Sequence, residues 1–125
     1  MYRLAITRDF IAQHYLIGGD WGAENTLHSH HYRCEIGIEG KALDRHGYLV
    51  DIVELSRAVD AVLSQVAERT LNELPKFAGL NPSLEHFSRI FWEMLVCHVP
   101  LTGKTLSVKL WENDRDWAAY TGAPG

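Results

Sequence analysis

Leu27-His28-Ser29-His30-His31-Tyr32-Arg33-Cys34, continuing through Glu35-Ile36-Gly37-Ile38, is the stretch on which the fold turns. On a β-strand alternate residues share a face, so His28, His30, Tyr32, Cys34, Ile36 and Ile38 point one way, and His31, Arg33, Glu35, Gly37 and Glu39 the other. The first set reads as the buried face and the second as the wet one. Two neutral imidazoles at the inner end of a half-buried strand form a bidentate hook for zinc that needs one or two further ligands. An isolated H-x-H is more often a surface cluster or an accident of composition, so a third histidine on a matching face decides between the readings.

The N-terminal stretch supplies a candidate. From Tyr2 to Ile17 the even positions Tyr2, Leu4, Ile6, Phe10, Ala12, His14 and Leu16 form a nearly continuous apolar parity, interrupted at Arg8. This predicts a long strand with a bulge around Arg8-Asp9, and pairing it with the His28 strand would bring His14 to the other two imidazoles. Gly18-Gly19-Asp20-Trp21-Gly22 makes a turn between them, followed by Glu24-Asn25-Thr26.

Beyond the loop Gly40 to Gly47, Asp51 and Glu54 have the form of a helix N-cap with its capping-box partner. Leu55, Val59, Val62, Leu63 and Val66 then predict a helix from about Ile52 to about Arg69. Asn81-Pro82-Ser83 starts a second helix with Pro in its first turn, carrying the stripe Leu84, Phe87, Phe91, Met94 and Leu95 and ending before Pro100. Leu106, Val108, Leu110 and Glu112 alternate in a third strand, Asn113 to Asp116 reads as a hairpin loop, and Trp117 to Tyr120 as a short returning strand. The expected fold class is α+β, a four-stranded antiparallel sheet with two helices on one face. Glu112, on the apolar parity at a strand end, is either a surface residue or an anchor for a ligand that presents several N–H donors.

With 125 residues and 46% apolar content, the chain is read as a single domain, residues 1–125, with one core. A net charge of −4 without Lys/Arg runs argues against nucleic acid or an acidic membrane surface as partner. No apolar segment is long enough for a signal or a membrane span. Cys34 and Cys97 fit small reduced thiols, so a cytoplasmic location is expected.

Taken together, these stretches resemble the 6-pyruvoyl-tetrahydropterin synthase and 6-carboxytetrahydropterin synthase family over nearly the whole chain. Phe10-x-Ala12-x-His14 resembles the family's F-x-A-x-H, and His28-Ser29-His30-His31-Tyr32 its H-G-H-x-Y. Gly47 to Leu55 matches G-x-(V/I)-x-D-F-x-x-L, and Leu71-Asn72, Asn81-Pro82-Ser83-Leu84-Glu85 and Trp111-Glu112 follow in the family's order. The resemblance implies the tunnelling fold (T-fold), subunits closed into rings, usually a homohexamer that is a dimer of trimers, and zinc (Zn2+) held by His14, His28 and His30. It also implies a small-molecule dihydropterin substrate gripped by Glu112 in a site between subunits. Three imidazoles with an open fourth position suit catalytic zinc, and a carboxylate suits the ring N–H and amine of a pterin.

Two positions depart from the pattern. The family's general-base Cys, a few residues before the H-G-H, is replaced by Glu24, and Ala67 and Glu68 stand where an Asp-His pair is expected. A subgroup that also carries Glu resembles this chain, and its implied reaction cleaves the side chain of dihydroneopterin triphosphate to a hydroxymethyl-dihydropterin. The expected function is therefore a zinc-dependent lyase with Glu24 as general base and Glu68 as a second acid/base group. The alternative is a pterin-binding homologue that keeps zinc and pocket without the reaction. His31 is read as solvent-facing yet close enough to the metal to support one of its ligands, His86 as solvent-facing, His46 as a loop residue and His98 as a complement to a helix C-terminus. Glu85 is read as a favourable carboxylate in a helix's first turn.

Overall fold

The computed structural model describes residues 1–125. Six elements build it: β1 (Tyr2–His14), β2 (His28–Gly40), α1 (Ile52–Val66), α2 (Leu84–Val96), β3 (Thr105–Trp111) and β4 (Trp117–Gly122). The strands form one antiparallel sheet in the order β1-β2-β3-β4. The strand parity read from the sequence holds, with Tyr32, Cys34, Ile36, Ile38, Leu106, Val108 and Leu110 all buried on the inner face. Against it lie Leu55, Ala58, Val59, Val62 and Val66 of α1 and Phe87, Ile90, Phe91 and Leu95 of α2. Phe10 stacks on Tyr32 at 5.3 Å and Phe87 meets Tyr32 edge-on at 5.3 Å, which anchors the helical layer just below the histidine end of the sheet. The opposite face stays wet, with Asp9, His31 and Arg33 exposed on it.

Several boundaries differ from the periodicity. The register runs unbroken through Arg8↔Cys34 and Asp9↔Arg33, so there is no bulge. Arg8 tolerates the inner parity because β1 is an edge strand and the guanidinium reaches Asp60 on α1 at 3.7 Å, partly in solvent. β1 stops at His14 rather than Ile17, because loop groups take the next backbone donors: Asn72 Oδ1 accepts from Tyr15 N–H and Asn81 Oδ1 from Ile17 N–H, each at 3.0 Å. Helix α1 ends at Val66 rather than Arg69. Ala67 turns extended, Glu68 takes φ 61°, and the chain runs back along the open edge of β1, where Glu68 N–H donates to Ile11 and Gln13 N–H to Arg69. An edge strand's unpaired groups thus outbid another helical turn. Asp51 caps α1 through Val53 N–H at 2.9 Å without a reciprocal bond from Glu54. Ser83 caps α2 through His86 N–H, which puts Pro82 before the helix and not in its first turn. β3 ends at Trp111, so Glu112 falls just beyond it, and β4 runs on to Gly122. No helix is long and apolar enough to cross a membrane.

Candidate metal centre and pocket

The register pairs His14 with His28 and Ala12 with His30, so both strands deliver their histidines to one end of the inner face. The three rings form a nearly equilateral triangle, with centroids 4.6, 4.9 and 4.8 Å apart. Glu24 joins them from a 3-10 turn, Gly22–Asn25, that opens on Gly22 at φ 63°. Asn25 staples this turn by accepting from Trp21 N–H at 2.7 Å and donating to the carbonyls of Leu16 and Gly19 at 3.0 Å. Leu16 N–H donates in turn to the Glu24 carbonyl at 2.9 Å. The carboxylate is thereby held with Oε2 2.6 Å from His28 Nε2.

Backbone carbonyls set the histidine tautomers. His14 Nδ1 lies 3.0 Å from the Pro82 carbonyl and His28 Nδ1 lies 2.7 Å from that of Thr26. A carbonyl oxygen only accepts, so each Nδ1 carries a proton, which leaves His14 Nε2 with a bare lone pair and turns His28 Nε2 toward the cluster. His14 Nε2 is buried with no hydrogen-bond partner. His28 Nε2 faces His30 Nε2 at 3.1 Å as well as Glu24. One ligand atom from each of His14, Glu24, His28 and His30 lies within 4.8 Å of the others. A proton would satisfy one contact of this set, whereas a divalent cation would satisfy the three imidazole nitrogens together and leave a fourth position beside the Glu24 carboxylate, the arrangement that suits catalytic zinc. Burial first, then the neighbouring His30 and His28, hold His14 down to about 4, so it is neutral and ready to ligate at neutral pH.

The cluster opens into a hollow of about 320 Å³ whose wall includes Trp21, Asn81, Ser83, Glu85 and Glu112. Burial, with the nearby Glu24 and Asp116 carboxylates adding to it and His30 opposing it, pushes the Glu112 carboxyl above its ordinary value. There are two larger hollows: about 490 Å³ beside Tyr2, Leu43 and Tyr48, and about 620 Å³ on the wet face beside Asp9, His31 and Arg33, which shares Glu112 with the hollow at the histidines. The smaller one marks the site, because only it contains convergent lone pairs and a buried unpartnered nitrogen.

The structure therefore brings His14, His28, His30 and Glu24 together and sets Glu112 on the same wall. Glu68 is not brought there: it sits exposed at the end of α1, on the far edge of β1. His31 points to the wet face, its Nε2 3.7 Å from Asp9, and does not support the histidine cluster. His86 is half-buried and bonded to the Asn81 carbonyl at 2.7 Å rather than solvent-facing. Sequence reasoning missed the carbonyls of Thr26 and Pro82 and the lining residues Asn81, Ser83 and Glu85. The segment Asn81 to Glu85 is legible in the sequence as a helix start and as part of the family resemblance, and neither reading assigns it to the pocket wall.

A sheet with helices on one face, and a three-histidine corner where its first two strands meet, define a class of T-fold protein. The chain belongs to the 6-pyruvoyl tetrahydropterin synthase family, whose model matches residues 3–123. It is 27% identical over 112 residues to the dihydroneopterin monophosphate aldolase of Pyrococcus furiosus, covering 90% of each chain. Its structure resembles the 6-pyruvoyl tetrahydropterin synthase of Caenorhabditis elegans with a TM-score of 0.86 at 20% identity, covering 98% of this chain and 96% of that one. A catalytic-residue mutant of the Plasmodium vivax synthase, in which alanine replaces a glutamate, is similar with a TM-score of 0.81 at 15% identity, covering 98% of both chains.

Proposed function

We propose that this chain is a zinc-dependent lyase that cleaves the side chain of a dihydropterin of the dihydroneopterin type. The observation that carries the reading is the convergence of His14, His28, His30 and Glu24 on one point at the floor of a pocket whose wall holds Glu112. The P. furiosus relative's name supports an aldol-type cleavage, and the P. vivax enzyme supports a glutamate as a catalytic residue type in this fold.

The three imidazoles hold the metal, which when bound supplies Lewis-acid polarisation of side-chain oxygens. Glu112 accepts from the ring N–H and exocyclic amine and orients the ring. Glu24 takes the proton from a side-chain hydroxyl. The carbon–carbon bond then breaks as a carbonyl forms, its electron pair passes into the ring C=N, and a proton is returned to the carbon that stays on the ring. Glu68 serves as a second acid/base group only across a subunit boundary, given its place on the far edge of β1. Such a boundary fits a closed homohexamer, a dimer of trimers. The outer edges of β1 and β4 lack a neighbouring strand, and Trp117 and Tyr120 are exposed on β4.

Loss of the Asp-His pair to Ala67 and Glu68 favours a second reading, a pterin-binding homologue without turnover. The two readings separate on Glu24→Gln and Glu112→Gln, compared by turnover and by pterin affinity. A lyase loses about 10²–10⁴-fold in turnover with Glu24→Gln at nearly constant affinity, and loses affinity first with Glu112→Gln. Wild type that binds pterins and converts none of them establishes the binding protein instead.

A further inference from the structure

We infer that Asn25 is a positioning residue that holds Glu24 and the Thr26 carbonyl against opposite nitrogens of His28; the inference rests on the roles proposed for Glu24 and His28 and names what sets their geometry. Asn25 sits between two residues that grip one imidazole. On its N-terminal side the Glu24 carboxylate meets His28 Nε2 at 2.6 Å, and on its C-terminal side the Thr26 carbonyl meets Nδ1 at 2.7 Å. Packing supplies neither grip. From Ile17 through Leu27 every residue except the half-buried Asn25 is exposed, so no apolar core fixes the shape of this loop.

Hydrogen bonds fix it instead. Asn25 Oδ1 accepts from Trp21 N–H at 2.7 Å, and Nδ2 donates to the carbonyls of Leu16 and Gly19, each at 3.0 Å. Carbonyls only accept, so the amide has one orientation and both of its donor hydrogens are used. Leu16 is the anchor, because three asparagine carboxamides take three successive residues as the chain leaves β1. Asn72 clasps Tyr15 through its N–H and its carbonyl, at 3.0 and 2.9 Å, Asn25 takes the Leu16 carbonyl, and Asn81 accepts from Ile17 N–H at 3.0 Å. Leu16 N–H donates in turn to the Glu24 carbonyl at 2.9 Å. Of the three asparagines, only Asn25 lies between β1 and β2, so it is the side chain that ties the bracket around His28 to the end of the strand carrying His14. A backbone carbonyl that orients a metal ligand has no side chain to delete, and Asn25 is the handle through which the Thr26 carbonyl is reached.

The test labels the histidines of the whole chain with nitrogen-15. In metal-free wild type the Nδ1–H of His28, bonded to Thr26, and that of His14, bonded to Pro82, should each give a signal protected from solvent exchange. Asn25→Ala removes all three bonds, and Asn25→Asp keeps the acceptor while losing both donors. Each should lose the His28 signal, keep that of His14, and bind zinc about 10–100-fold more weakly in competition with a chelator. Asp20→Ala, which removes a bond from Gly22 N–H in the same loop, should change none of these. At saturating zinc, with whichever of dihydroneopterin and its phosphates is turned over, Asn25→Ala should lower kcat at nearly constant KM and cost nothing further in a Glu24→Gln background. A retained His28 signal or an undiminished zinc affinity in both Asn25 variants overturns the inference. So does an equal loss at His14, an Asp20→Ala variant that behaves like Asn25→Ala, or a full further loss of kcat beside Glu24→Gln. Should wild type bind no zinc or convert none of these pterins, the proposed function fails separately, and the His28 and His14 signals decide the role of Asn25.

Discussion

The imidazole of His14 and the carbonyl of Pro82, 68 positions apart in sequence, meet at 3.0 Å and fix the chemistry of the site. The bond ties the end of β1 to the turn before α2 and places the proton on Nδ1. The other nitrogen is left bare, buried and aimed toward His28 and His30, whose rings lie 4.6 and 4.9 Å away. An unpartnered buried nitrogen is costly in a folded protein, and a bound cation removes that cost.

The protein should therefore purify with about one zinc per chain, bound through nitrogen. Elemental analysis of wild type beside His14→Ala, His28→Ala and His30→Ala checks this, with metal expected to fall in all three. Undiminished zinc in the variants would place the ion elsewhere.

His14 also gives the metal-free protein a definite response to acid. Burial and the two neighbouring imidazoles hold it at about 4 against an ordinary 6.5. As pH falls through 6.5 the unfolded chain takes up a proton that the folded chain refuses until about 4, so stability drops across that window and is fully present above it. The loss is on the order of 3 kcal/mol. Urea titrations of metal-free wild type and His14→Gln between those limits should show a shallower fall in the variant.

Much of this corner is legible in the sequence because strand alternation is strict: His14, His28 and His30 fall on inward parities whatever the exact pairing. The carbonyls that set their tautomers are not legible, since every residue carries one and only the fold selects Pro82 and Thr26. The end of α1 departs from its periodicity for a related reason. Helical periodicity is local, whereas Glu68 N–H and the Arg69 carbonyl are claimed by Ile11 and Gln13, more than fifty positions away. Glu85 was visible, but its value as a dipole complement hid its place on the pocket wall.

Glu112 should show itself through pterin affinity. Its carboxyl ionises above the usual range, chiefly because of burial. As pH falls through that raised value the carboxylate becomes protonated and ceases to accept two N–H donors, so affinity should decline at a higher pH than an ordinary glutamate would give. Fluorescence titration of a pterin against pH reads this directly. Glu112→Gln should bind more weakly by about 1.5–3 kcal/mol at neutral pH and lose the acid limb.

Light scattering at micromolar concentration should return a hexamer mass, because closure into rings covers the outer edges of β1 and β4. A monomer would leave Glu68 with no pocket to reach and remove it from the mechanism.

The central claim is carbon–carbon cleavage driven by Glu24 beside the histidine cluster. Its most direct measurement is mass analysis of the products formed from dihydroneopterin by the zinc-loaded protein in deuterated water. The account predicts a hydroxymethyl-dihydropterin carrying one carbon-bound deuterium, from the proton returned to the ring-attached carbon, together with a two-carbon hydroxyaldehyde. Intact dihydroneopterin recovered from protein that binds it with zinc in place would contradict the claim.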